Sequence, residues 1–212
     1  MLAQPFEIFS NSHLLTLLII VLIAFLLPTL IDSKEEKNKF LIARILGLSA
    51  ITLELIKPFI WHYGMDFPWS RLIPIHMCNL STLFIGIFLL TERRIFFEVS
   101  FFWGIGGGIN ALLTPDVPLT FPDPQYILFF FGHGLLLVCI VYACKALKNR
   151  PTLKSVKNGI YFSLAVLPII YVINILIGPP ANYWYLGTKP AGSSILDYFP
   201  DPPLHIPFLI II

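Results

Sequence analysis

Six stretches of this chain are apolar over a length that crosses about 30 Å of hydrocarbon, and that leaves few architectures open. They run approximately Leu14–Ile31, Phe40–Trp61, Leu72–Leu90, Ile95–Leu113, Tyr126–Leu147 and Gly159–Ile177. In lipid every backbone N–H and C=O needs a partner inside the protein, so the stretches are expected to be helices. A seventh run begins near Leu204 and reaches Ile212 nine residues on, too short to span alone, and reads as a truncated final helix. The expected fold class is therefore all-α, a polytopic helical membrane bundle of six complete spans and a truncated seventh. It is read as a single integral membrane domain over residues 1–212.

Composition agrees with that reading and excludes others. Charged residues are 12% of the chain against about 25% in soluble domains, and mean hydropathy is +0.81, which leaves no room for a separate soluble domain. The opening MLAQPFEIFSNSH lacks a basic n-region, and no A-x-A site follows the first apolar run, so that run reads as a retained span. Cys78, Cys139 and Cys144 form neither a CxxC nor a Cys/His pattern, so no disulfide framework, metal site or cofactor is expected. A net charge of +2 says little about partners; no nucleic-acid partner is expected, and membrane lipids are.

What matters is where the charges fall. Lys34, Lys37, Lys39 and Arg44 follow the first span, Arg93 and Arg94 the third, and Lys145, Lys148, Arg150, Lys154 and Lys157 surround the loop after the fifth. Eleven of the 14 Lys and Arg thus lie on one side, and the positive-inside rule makes that side cytoplasmic. The N-terminus is expected outside.

Polar residues interrupt the apolar stretches at one depth. Glu54, Lys57, His76, Cys78, Asn79, Asn110, His133 and Asn174 each fall within roughly eight residues, about 12 Å of helix rise, of the outer face. Polar groups in hydrocarbon are costly and usually face the bundle interior, where they mark a site or pathway. His76 and His133 can move protons near neutral pH; the plainer reading is a histidine bonded to a carbonyl of the next helix. Cys78 is a nucleophile if a histidine activates it, with His133 the better base because His76, two positions away, faces elsewhere. Its plainer reading is a small buried hydrophobe. Glu54 and Lys57, spaced i, i+3, are expected to pair, either to neutralise one another or to orient His76 or grip a headgroup. In WGIGGGIN, Trp103–Asn110, the glycines thin a helix, most simply for close helix packing.

The stretches RLIPIHMCNLS, FFWGIGGGINALLTPD, FGHGLLL and ANYWYLGTKPAGSSILD, in this order, resemble the signature blocks of the YwaF-like bacterial integral membrane proteins, grouped with the transmembrane protein 164 family. The resemblance covers nearly the whole chain and implies a seven-span bundle with Pro74, His76, Asn110, Pro115, Asp116, His133, Asn182, Tyr183 and Lys189 as signature positions. The eukaryotic relatives are described as cysteine-dependent acyltransferases on phospholipids. In that pattern the nucleophilic cysteine stands directly before the histidine of Pro-x-His, where this chain has Ile75.

Two functions follow as expectations. The first is a lipid-active acyltransferase or hydrolase whose pocket opens to the outer leaflet, taking a phospholipid or other acyl substrate. His133, His76 and Cys78 would be catalytic, and Asn110, Asp116, Asn182, Tyr183 and Lys189 would bind substrate. The alternative is a non-catalytic transporter or a lipid- or small-molecule-binding protein using the same pocket; no internal repeat is visible, and the polar set sits toward one face.

Overall fold

The computed structural model describes residues 4–32, 34–189 and 195–209. Six long helices carry the chain: α1 Asn11–Asp32, α2 Glu36–Met65, α3 Met77–Thr91, α4 Arg94–Leu113, α5 Pro124–Lys145 and α6 Leu153–Ile177. Short 3-10 turns lie at Trp69–Arg71, Tyr183–Tyr185 and Ile195–Tyr198, and a final turn, α7, spans Ile206–Leu209. No β-strand occurs among the described residues; Pro5 and Leu119 form one isolated antiparallel bridge. The seventh apolar run is thus a single helical turn as far as Leu209, and its residues 210–212 lie outside the described part, as do 190–194 of the ANYWYLGTKPAGSSILD block.

Local sequence sets the helix ends. Asp123 caps α5, its carboxylate accepting the Gln125 N–H at 2.9 Å, and Pro124 occupies the first position, where its missing N–H costs nothing. Thr152 and Ser155 form a reciprocal capping box that opens α6. Left-handed residues Asp66 and Glu92 close α2 and α3.

Four of the helices, α1, α4, α5 and α6, are long and apolar enough to cross a membrane. The other two differ in opposite ways. Charges run the length of α2, from Glu36 to Lys57, and its 30 residues continue through Pro58. α3 has only 15 residues, about 22 Å at 1.5 Å per residue. The helix expected from Leu72 does not start there. Leu72 closes the 3-10 turn, Pro74 denies the preceding residue a helical backbone, and His76 is extended at φ −59°, ψ 152°, so the helix begins at Met77. His76 is consequently the cap of α3 rather than a residue within it.

α3 is central, packed on α2, α4 and α5, while α1 rests on α5 and α6 on α4. Gly47 and Gly86 bring α2 and α3 together: a Cβ on either would lie 2.8–2.9 Å from a neighbouring atom, including the other glycine's carbonyl oxygen. The main core gathers Ala50, Ile85, Phe88, Phe97, Leu136 and Tyr142 between α2, α3, α4 and α5. α1 and α6 turn most of their apolar surface outward, the arrangement of helices facing lipid rather than water.

Candidate functional site

The polar set converges where α2 ends, α3 begins and α5 passes. Glu54 on α2 is 1% exposed, so its charge must be met inside the protein. The Lys57 ammonium donates to one carboxylate oxygen at 2.6 Å, and the Asn79 amide of α3 donates to the other at 2.7 Å. The i, i+3 pair expected from the sequence is present, with an amide from the next helix completing it.

Around this pair stand the titratable candidates. His76 caps α3, Cys78 lies in its first turn, and His133 follows Gly132, where a Cβ would lie 3.7 Å from Lys57 Nζ. Cys78, in the first turn of α3, faces the glycines of α4: a Cβ added at Gly107 would lie 3.6 Å from its sulfur. One turn further along α4, Asn110 donates its amide to the Gly106 carbonyl at 2.8 Å. On α5, His133 donates from Nδ1 to the Phe129 carbonyl at 2.9 Å, which fixes the neutral ring as the tautomer with its lone pair on Nε2. Nε2 has no hydrogen-bond partner among the described residues, and the ring keeps part of its surface accessible. His76 packs its ring on Tyr183, centroids 4.9 Å apart, and on Tyr185 at 5.8 Å.

The loop after α6 holds His76 in place. Asn174 accepts the Tyr183 N–H at 2.8 Å and donates to its carbonyl at 2.9 Å, pinning the loop to the helix it leaves. The buried Tyr183 hydroxyl donates to Ser70 O at 2.8 Å and accepts Ile73 N–H at 3.2 Å, and the Trp184 indole donates to Ile75 O at 2.8 Å. Residues more than a hundred positions earlier are thereby fastened just before α3. Trp184 and Tyr185 both adopt left-handed backbones, φ 60° and 52°, which bulky side chains tolerate only when neighbours enforce them.

The other sequence candidates are placed differently. Asn182 spends its side chain inside its own loop, donating to Thr188 O and Oγ1 and accepting from Gly187 and Thr188 N–H. Lys189 donates to Phe199 O at 2.8 Å and pairs with Asp201 at 3.1 Å, tying down the C-terminal segment. Asp116 is exposed beyond α4, within electrostatic reach of Tyr185. Among the described residues no group of three His, Cys, Asp or Glu could hold a metal ion.

His205 went unnoticed in the sequence. It is fully buried, donates from Nε2 to the Tyr185 carbonyl at 2.8 Å, and leaves Nδ1 without a partner among the described residues. Its one signal was its place in a polar turn before an apolar run, which is too little to find it. His13, also fully buried, has both nitrogens used: it accepts from Phe9 N–H at 3.0 Å and donates to Leu112 O at 2.8 Å, a structural bridge from α1 to α4.

The TMEM164 family model matches residues 8–212 of this chain. An uncharacterized protein of Treponema pallidum (strain Nichols) is 26% identical over 188 residues, covering 89% of this chain and 74% of the relative's length. No solved structure matches.

Proposed function

The chain belongs to the TMEM164 family, and on that premise we propose that it is an integral membrane enzyme of lipid acyl chemistry, an acyltransferase or hydrolase acting on phospholipid. In this reading α1–α6 are six crossings of a bacterial cell membrane, with the N-terminus outside. Within the family it is read with the YwaF-like bacterial proteins, whose signature blocks its sequence resembles. The pocket, at the outer ends of α2, α3 and α5, opens to the outer leaflet.

The observation that carries the reading is His133. His13 spends both of its nitrogens on structural hydrogen bonds. His133 commits Nδ1–H to its own helix and keeps the Nε2 lone pair without a partner among the described residues, the tautomer a general base needs. The Cys78 proton passes to that nitrogen as sulfur bonds to the acyl carbon and the carbonyl pair moves onto oxygen. Collapse breaks the acyl C–O bond, and the departing alcohol takes the proton back from His133. An acceptor hydroxyl or water then gives its proton to His133, attacks the thioester and releases sulfur, which regains the proton. His76 serves as a second proton carrier, and Asn110 offers its amide near the developing charge.

Incubating the reconstituted protein with defined phospholipids and reading the products by lipid mass spectrometry tests this. His133→Gln is expected to fold and to lose about 10²–10⁴-fold in turnover, the usual size of a lost acid–base group. Cys78→Ala is expected to be comparably inactive while losing at most about 2 kcal/mol of stability. Full lipid-directed activity in His133→Gln would sink the mechanism and put binding or transport ahead.

A further inference from the structure

The Glu54–Lys57 pair is lopsided. Both oxygens of Glu54 are occupied, by Lys57 and Asn79, and the carboxylate is sealed, its side chain 1% exposed. A carboxylate in that state has nothing left to offer a ligand. Lys57 has three N–H donors, and among the described residues its Nζ has one partner, Glu54; its side chain remains 18% exposed. The open end of the pair is therefore its cation.

That end lies against α5 beside the residue that precedes His133, and its carboxylate partner is held by the residue that follows Cys78. A Cβ added at Gly132 would sit 3.7 Å from Lys57 Nζ, so the ammonium abuts α5 at the residue before His133. Asn79, which holds the other side of the Glu54 carboxylate, follows Cys78 in the first turn of α3. Glycine at 132 leaves the ammonium room, and Glu54 fixes its position. A fixed donor beside a place where negative charge forms needs no reorganisation during the reaction.

We infer that Lys57 is the cationic donor of this site, its free N–H groups meeting the oxyanion that forms on a lipid acyl group when sulfur attacks the ester carbon. This rests on the acyl-transfer reading and adds a catalytic residue to it. As Cys78 sulfur bonds to the carbonyl carbon, the C=O pair moves to oxygen and is held by the ammonium; when the pair returns, the C–O bond to the alcohol breaks. Lys57 neither gains nor loses a proton in the cycle.

The test uses Glu54→Gln/Lys57→Met, which removes both charges together and strands neither. In phosphatidylethanolamine–phosphatidylcholine vesicles it is expected to lose about 10²–10³-fold in kcat with KM unchanged, the effect of one missing oxyanion donor. Lys57→Arg, which keeps the charge, is expected to recover part of that loss. A folded double variant with the wild-type kcat overturns the assignment, whatever His133→Gln shows. Should the double variant not fold, Lys57→Gln, which keeps a donor for Glu54 without the charge, is read in its place.

Binding of hexadecylphosphonate, an anion on an acyl-length chain, reads Lys57 without turnover. Wild type is expected to bind it about tenfold or more tightly than the double variant, the cost of one charge-assisted hydrogen bond, and to bind neutral hexadecanol no better. Equal phosphonate affinity overturns the role of Lys57. A retained difference in a protein that turns over no lipid supports Lys57 as an anion donor and removes the acyl-transfer reading instead.

Discussion

Two buried carboxylates are built almost alike at opposite ends of this bundle. Glu54 accepts from Lys57 of its own helix and from Asn79 of the next. Glu98, on α4 near the other end, accepts from Arg94 of its own helix at 3.0 Å and from Ser155 and Asn158 of α6 at 2.8 and 2.7 Å. Each takes a cation three or four residues away and neutral donors from a neighbouring helix. The cations part company. Arg94 is half exposed and donates onward to Arg150 O, so its guanidinium leans toward the loop, whereas Lys57 is 18% exposed and sets its ammonium against α5 at Gly132. The same device is a staple between α4 and α6 at one end and a charged part of the candidate site at the other.

That contrast can be broken by mutation. Glu54→Ala strands an interior ammonium and is expected to cost about 3–5 kcal/mol, read by unfolding in detergent micelles. Glu98→Ala leaves a cation that can reach water, so only the Ser155 and Asn158 donors lose a buried partner. Its expected cost is smaller, about 1–3 kcal/mol, with activity per folded molecule unchanged. Equal losses, or an activity loss in Glu98→Ala, would erase the distinction between staple and site.

A gentler probe compares two glycines. Gly47→Ala pushes a Cβ to 2.8 Å from the Gly86 carbonyl oxygen, a backbone atom that can yield only if α2 and α3 part. About 1–3 kcal/mol of stability should go, as in other overpacked interiors. Gly107→Ala meets only the Cys78 sulfur at 3.6 Å, an ordinary contact, and should fold normally while slowing alkylation of Cys78. If alkylation is unaffected, Gly107 does not border the Cys78 approach.

The smallest effect belongs to the exposed pair Asp32–Lys148, 2.7 Å apart. The hydrogen bond from Lys148 holds the Asp32 carboxyl below the usual carboxylate range, with the Lys148 and Lys39 charges adding to it and desolvation opposing. A lowered folded pKa means a contribution present above the unfolded value and lost as pH falls through the folded one, hence below about pH 4. Lys148→Ala should leave the unfolding temperature unchanged near pH 7 in physiological salt, as exposed pairs do. A clear drop at pH 7 would mean this loop contributes more than its exposure allows.

Helices were legible wherever a signal was local. Apolar length gave the six helical stretches, and the spacing of Glu54 and Lys57 gave their pair. The start of α3 was not legible because Leu72–Ile75 is as apolar as a helix, and only Pro74 and the grip of Tyr183 and Trp184 keep it from joining one. Nothing nearby in sequence marks that grip, since its partners are more than a hundred residues apart. For the same reason the sequence leaves Asn182 open to substrate while its loop consumes it, and nothing local to His205 signals its bond to Tyr185. The convergence on Lys57 lay between these cases: matched depth suggested it, but only the packing of α3 beside α2 and α5 supplied the neighbours.

The seating of α1 has a bearing on how the chain is made. α1 packs on α5 and barely touches α2. A ribosome adding about 5–20 residues per second needs roughly 6–23 s to go from the end of α1 to the end of α5, so α1 waits that long for its partner. Its sequence suits the wait: from Asn11 to Ile31 it holds no Asp, Glu, Lys or Arg, so it can stand alone in lipid. The polar closures that finally seat it, His13 to Leu112 O and Thr16 to the Tyr126 hydroxyl, cluster at one end, where water stays within reach until α4 and α5 arrive.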